Sequence, residues 1–560
     1  MIRDPIWGEI LIYKWEKTLL NCRAFNRLHD VLQNSNGYRV YPGARHSRFL
    51  HTLGTMHVAN EITAGLFRNH FYSRAAQRDV LPDCTAKLRA ECELISSRIS
   101  KALPKGDLEQ VLAAEARPSL PDDLFLVLCA VRMAALLHDI GHLPYSHVFE
   151  DAIDRWVSAN GISMFQAGCA IHEQIGHQVA RFLIKHDSHT KDDPVFCAIS
   201  EAAISILHDV TENGGRATPH FQILRSIISG VVDADRIDYV RRDGELSGFM
   251  KSGVDYQRLF RNFTVSMRVV SLKLSEGRVL LLTDYFVKPS ARAQSELEKL
   301  LWERYQEYSY VIGHHKVALF DEIMRRLICY LLVTGRLREL VAGLESLGEL
   351  QFKGGGKEGP AGKQPEIEPH IGNVVRLFEF FGDDAYIDAT IKSLRGGTSS
   401  TRFEDQHFQG LVTAYCSRRN HYVSVFKRDE DFWALFRDGS DEDVSITQAF
   451  DADPKFVSIV VAQEAEEIEK VIWDSAETKG LHVLMAKSPA AFDVGFDGGS
   501  ETTHALGSLA RFLTKKRDAM RPFNLWYVPS REIVPRDLVQ TAGLLLAVNV
   551  SLRGRLKNNS

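Results

Sequence analysis

Apolar positions crowd most densely between Phe125 and Leu137, a run of helical length that ends on the adjacent pair His138 and Asp139. Gly141 and Pro144 close it, because glycine frees the backbone and proline cannot extend the hydrogen-bond ladder. Upstream, apolar residues recur at helical spacing from Trp15 to Leu32, and Gly37 with Pro42-Gly43 interrupts them. Downstream, His172 and Glu173 open another amphipathic helix, and residues 195–230 read as helical with Gly214-Gly215 marking a loop. The period then changes. Val270 to Leu274 alternates apolar and polar residues, Ser275-Glu276-Gly277 offers a turn, and Val279 to Thr283 follows, which predicts a small hairpin. Helices are predicted over residues 291–310, from there to about Leu332, and over 372–395. Beyond residue 408 short β-rich runs, Phe456 to Val461 and Leu481 to Met485, alternate with helices such as Ala462 to Ala476. Leu544 to Val550 reads as a last strand or helix.

The fold class that follows is mainly α, a helical core with a smaller α+β C-terminal region. A chain of 560 residues exceeds what one core organises. The expected division is a core over 1–345 with a helical insertion at 81–122, a Gly/Pro-rich linker at 346–371, and an α+β region over 372–560 serving oligomerisation or regulation. Hydrophobic content of 45% and charged content of 25% are ordinary for a soluble globular protein. A net charge of -4 argues against a basic coat, so nucleic acid is not indicated as a partner. The cluster Lys515-Lys516-Arg517 with Arg511 and Arg521 reads as solvated surface. No apolar run approaches the roughly 18 residues of a membrane helix, and the first residues carry no signal-peptide core. The eight cysteines form no CxxC pair, so reduced thiols and a cytoplasmic address are expected, with no membrane partner.

Candidate chemistry concentrates in four places. His138, Asp139, His142 and His147 lie close together at the end of the apolar helix, and imidazole with carboxylate suits divalent metals. Arg48 and His51 are three residues apart, so a helix presents both on one face; an arginine fork pairs with phosphate oxygens. His172-Glu173 opens its helix, but His172 and His177 stand five apart, which does not fit the four-residue spacing of a zinc-protease helix. Between Asp233 and Asp243 four carboxylates and three arginines fall within eleven residues, costly in a core unless paired or metal-bound.

Taken together, His51, His138-Asp139 and Asp235 form an H…HD…D order that resembles the HD-domain superfamily of metal-dependent phosphohydrolases. Asp4-Pro5-Ile6-Trp7-Gly8, Tyr41-Pro42-Gly43-Ala44, Ser47 to Gly54, His138 to His147, His172-Glu173-Gln174 and Asp233 to Tyr239 resemble the deoxynucleoside triphosphatase branch over about residues 4–332. That branch includes the SAM-and-HD-domain enzyme of animals and the bacterial dGTPases. The resemblance implies a helical HD-domain phosphohydrolase core, a homo-oligomer of two or more chains, and hydrolysis of a dNTP to deoxynucleoside and intact triphosphate. It implies His51, His138, Asp139 and Asp235 as ligands of a divalent metal, whether Mg, Mn, Fe, Co or Zn. Arg48, Arg236 and Arg304 would hold phosphate, with Arg236 standing where relatives often have Lys. His142, His147, His172, Glu150 and Glu173 would form the catalytic set, His147 protonating the departing 5′-oxygen. Gln33 and Asp243 match positions that bind the 3′-hydroxyl, Tyr239 matches the aromatic against the ribose 2′ carbon, and His314 or His315 matches a site histidine. Asn34 stands where a Leu often helps that sugar gate. Asn21, Asn26 and His29 do not match the guanine-reading regulatory positions of the animal enzyme, which leaves another regulatory nucleotide open. Pool balance and antiviral depletion of dNTPs are both compatible roles.

Two other readings compete. Another HD-type phosphodiesterase or nuclease would release different products, and a nucleotide-sensing module would bind without turnover.

Overall fold

The computed structural model describes residues 1–72, 80–115, 117–159, 170–208, 220–273, 279–346, 371–378, 383–395, 403–417, 422–427, 431, 465–471, 483–487 and 523–527. The architecture is mainly α with three small antiparallel sheets among the described residues. Its centre is the Asp122–Leu137 helix, buried at every position from Leu124 to Leu137. A helix buried on all sides must be enclosed by others, and the Arg48–Phe67, Pro82–Ala102 and Pro194–Leu207 helices pack around it. The segment expected as an insertion therefore contributes Cys84, Leu88, Cys92, Ile95 and Ile99 to the same core.

The Trp15 to Leu32 periodicity resolves into three pieces: helices Lys14–Leu20 and Arg23–Asn26, then a 3-10 turn Arg27–Asp30. Cys22, extended at φ -78° and ψ 149°, makes the break. This bend lets Arg27 reach inward and donate to the carbonyls of His142 at 2.8 Å and Ile140 at 2.5 Å, so tertiary contacts override the local period.

The hairpin is longer than the expected runs, pairing Phe263–Lys273 with Val279–Pro289 from Phe263↔Pro289 to Lys273↔Val279. The expected 291–310 helix is a 3-10 turn, Ala291–Ala293, then α-helix Gln294–Gln306, then π-helix Glu307–Ile312. His315–Val333 follows, and the expected 372–395 helix divides into Ile371–Arg376 and Asp384–Lys392. After the Phe403–Ser417 helix, strands Val423–Ser424, Phe523–Tyr527 and Val483–Lys487 form one sheet in that spatial order. The runs at 456–461 and 544–550 and the basic cluster at 511–521 lie outside the described residues. Among the described residues no helix is long and apolar enough to cross a membrane.

Candidate active site

Three helices converge on one polar centre. The Arg48–Phe67 helix supplies His51, the end of the Asp122–Leu137 helix supplies His138 and Asp139, and the Ala234–Leu246 helix supplies Asp235. His51 is fully buried; its Nδ1 bonds Asp238 Oδ2 at 2.8 Å, and its Nε2 lies 3.0 Å from Asp235 Oδ1 and 3.6 Å from Asp139 Oδ2. His138 Nδ1 lies 2.7 Å from the carbonyl oxygen of Ala135. A carbonyl only accepts, so Nδ1 carries the proton and the Nε2 lone pair is left for something else. That Nε2 is buried without a hydrogen-bond partner, 3.3 Å from Asp139 Oδ1 and 3.8 Å from Asp235 Oδ1.

Two imidazole nitrogens and carboxylate oxygens turned on one point fit a divalent cation. One donor atom each from His51, His138 and Asp235 lies within 4.8 Å of the others. Burial pushes the His51 imidazole down, but the bonds and charges of Asp235 and Asp238 overcome it and raise it to about 10. Asp235 is opposed by burial and held well below the carboxylate range by His138 and His51. A cation would compete with the imidazole proton for the same lone pair, so its affinity for the cluster would rise with pH.

Behind His51 stands a chain of groups that motif spacing alone does not reveal. Asp238 accepts from Arg242 Nε and Nη2 at 2.9 Å each and from the indole N–H of Trp7 at 2.5 Å, while Arg242 Nη1 donates to Asp4 at 2.9 Å. Asp238 and Arg242 are four apart, a helical pair whose signal is present in the sequence. Asp4 and Trp7 reach them only through the fold. Gly54 makes room: a Cβ there would lie 1.9 Å from Asp238 Oδ1.

A second cluster adjoins the first. Glu150 lies 2.9 Å from His142 Nδ1, 3.1 Å from His172 Nδ1 and 3.4 Å from His147 Nδ1. Donor atoms of these four residues also gather within 4.8 Å. His142 joins the clusters, its Nε2 3.3 Å from Asp139 Oδ1. Burial, with Arg48 and His172 nearby, lowers the His142 imidazole to about 4, whereas Glu150 raises His172 against burial. His147 has a side chain 69% exposed, so it stands at the open edge of the cluster with Nδ1 toward Glu150. Glu173 follows His172 in the first turn of the Ile171–Lys185 helix.

Arg48 ion-pairs with Asp139 and donates from Nε to Ser146 Oγ at 2.7 Å. Arg236 is drawn back to Asp233, the residue capping its helix, at 2.7 Å. Arg304 Nε donates to the Tyr239 hydroxyl at 2.9 Å. Asp243 Oδ1 meets His46 Nε2 at 2.6 Å, and buried Glu307 faces the same carboxyl. Burial and the Asp243 charge hold the Glu307 carboxyl well above its usual range. The Gln33 side-chain oxygen is buried without a partner. His315 opens its helix with its ring stacked on His314 at 4.4 Å and its carbonyl accepting from the Trp526 indole. A cavity of about 500 Å³ borders Gln33, Asn34, Ser146 and His147 and continues past Tyr308, Val311 and Ile312.

No protein-family model matches the chain. It is 27% identical over 331 residues to an uncharacterized protein of Methanocaldococcus jannaschii, covering 59% of this chain and 49% of that one. It is 24% identical over 277 residues to the deoxynucleoside triphosphate triphosphohydrolase SAMHD1 of Homo sapiens, covering 47% of this chain and 35% of that one. The chain thus spans about half the length, or less, of the curated relatives it matches. A phosphohydrolase structure from Bacteroides thetaiotaomicron superposes with a TM-score of 0.49 at 16% identity over 94% of this chain and 99% of that one.

Proposed function

We propose that the chain hydrolyses deoxynucleoside triphosphates to deoxynucleoside and inorganic triphosphate. The observation that carries this reading is the orientation of two histidines. His51 and His138 each commit Nδ1 to a partner, Asp238 and the Ala135 carbonyl, and turn Nε2 toward Asp235. Such an outer partner fixes the tautomer and aims the lone pair.

His51, His138, Asp139 and Asp235 would hold the divalent cation, which supplies Lewis acidity to water and to phosphate oxygens. Arg48, beside Asp139, brings a guanidinium to the α-phosphate, and Arg236 and Arg304 bring theirs to the rest of the chain of phosphates. Water adds to the α-phosphorus, the bond from that phosphorus to the 5′-oxygen breaks, and the departing oxygen takes a proton. His147, backed by Glu150, delivers it. His142 and His172 also contact the Glu150 carboxylate and keep it oriented. Asp243, with Gln33, accepts the sugar hydroxyl, and Tyr239 closes the space at the 2′ carbon. The base occupies the cavity, whose Val311, Ile312 and Val317 walls suit a planar ring.

The experiment is product analysis with Mg²⁺, Mn²⁺ or Co²⁺ and each dNTP and NTP, singly and mixed. Deoxynucleoside with tripolyphosphate supports the reading. Orthophosphate or pyrophosphate as the released product would replace it with another HD-type phosphohydrolase. Binding without turnover would make the site a sensor, and activity confined to mixtures would add a regulatory nucleotide.

A further inference from the structure

The two residues before His147 adopt backbone that side-chain-bearing residues seldom take: φ is +56° at Tyr145 and +54° at Ser146. Strain of this kind persists only where the surroundings impose it. Here they do so through a residue distant in sequence. Asp384 is 8% exposed; its Oδ1 accepts from the Tyr145 N–H at 2.6 Å and its Oδ2 from the Leu32 N–H at 3.0 Å. Asp384 begins the Asp384–Lys392 helix but does not cap it. Asp383 does that, accepting from the Tyr386 N–H at 2.8 Å, which leaves both oxygens of Asp384 for the loops outside its own helix.

Those loops are two walls of the candidate site. Leu32 precedes Gln33, and its carbonyl accepts from the Ser146 hydroxyl at 3.0 Å. The same hydroxyl oxygen accepts from Arg48 Nε at 2.7 Å. One carboxylate therefore sets Gln33, Ser146, Arg48 and His147 relative to one another. A second tie runs parallel, from the Tyr145 hydroxyl to the Tyr415 hydroxyl at 2.9 Å and from Tyr415 to Asp388 at 2.9 Å.

We propose that Asp384 is a positioning residue of the active site, holding Tyr145-Ser146 left-handed and Leu32 against them so that Arg48, Gln33 and His147 face one substrate. Its catalytic consequence rests on the proposed hydrolase function; its structural consequence does not. The Asp384–Lys392 helix is then part of the site's construction.

The test compares wild type with Asp384→Asn, Asp384→Ala and Tyr415→Phe in the full chain. Asn keeps one acceptor oxygen and turns an amide NH₂ toward the other N–H. Hydrogen exchange at the peptides carrying Leu32 and Tyr145 is expected to accelerate by about tenfold or more in Ala, less in Asn, as local opening becomes easier. Mn²⁺ binding by equilibrium dialysis stays at the wild-type value, since no ligand of the cation is touched. With dNTP substrates kcat falls by about 100-fold in Ala, the cost of misplaced reacting groups, while KM moves little. Tyr415→Phe shows the same pattern more weakly. Unchanged exchange at both segments in a folded Ala variant overturns the proposal, and so does an unchanged kcat. Should Ala fail to fold, the isosteric Asn decides by the same readouts. If wild type turns over no dNTP, the proposed function fails, and exchange with Mn²⁺ binding still decides the role of Asp384.

Discussion

Gly54→Ala puts helix propensity and site construction in opposition. Gly54 lies inside the Arg48–Phe67 helix, where an alanine ordinarily gains about 1 kcal/mol. Here its Cβ would stand 1.9 Å from Asp238 Oδ1, 2.6 Å from Asp238 Cγ and 2.3 Å from Arg242 Nη2. Neither partner can step aside, because both are fully buried and Arg242 is held from the far side by Asp4. Overpacking a tight interior costs about 1–3 kcal/mol, and breaking a buried ion pair about 3–5 kcal/mol. The net expectation is a loss of about 3 kcal/mol or more after the helix gain is subtracted. A displaced Asp238 also releases His51 Nδ1, which should weaken cation affinity about 10- to 100-fold. Urea denaturation of the metal-free chain and Mn²⁺ dialysis measure the two effects. A variant as stable as wild type that binds Mn²⁺ equally well would refute the account of how His51 is oriented.

Other expectations follow from the same geometry. His138→Ala with Asp139→Ala should abolish hydrolysis and Mn²⁺ binding while the circular-dichroism spectrum keeps its helical form; retained turnover would remove the cation from the reaction. Tyr239→Ala should raise the ratio of ribonucleotide to deoxyribonucleotide kcat/KM by about tenfold, the scale of a lost steric contact, and an unchanged ratio would clear Tyr239 of that role. Glu91 accepts from the amides of Ile223 and Leu224, and burial raises its carboxyl from 4.5 to about 7 against those bonds. Between those values the folded chain binds more protons than the unfolded one, so stability should fall as pH rises from about 4.5 to about 7, by up to about 3 kcal/mol. Glu91→Gln should flatten that slope in urea titrations, whereas an unchanged slope would assign it to other groups.

Much of the site's composition was legible in local pattern. A helix ending on His138-Asp139, Arg48 and His51 one turn apart, and Asp235, Asp238 and Arg242 on one helical face are all consequences of the 3.6-residue period. The hairpin likewise followed from alternation, although its full length did not, because the outer pairs depend on packing against the Gln222–Ile228 helix. The break at Cys22 and the π-helix Glu307–Ile312 escaped the pattern, since both yield local regularity to a tertiary contact or to the placement of a buried acid.

The sequence by itself determined the mainly helical class and the kinds of side chain available for metal and phosphate. Tertiary structure alone decided which of them meet. Trp7 donates to a carboxylate 231 residues away, and Asp384 binds an amide 239 residues before it. Periodicity records only which way a residue faces on its own element. Which partner waits on that face is set by how helices far apart in the chain pack, and no spacing along the chain encodes that distance.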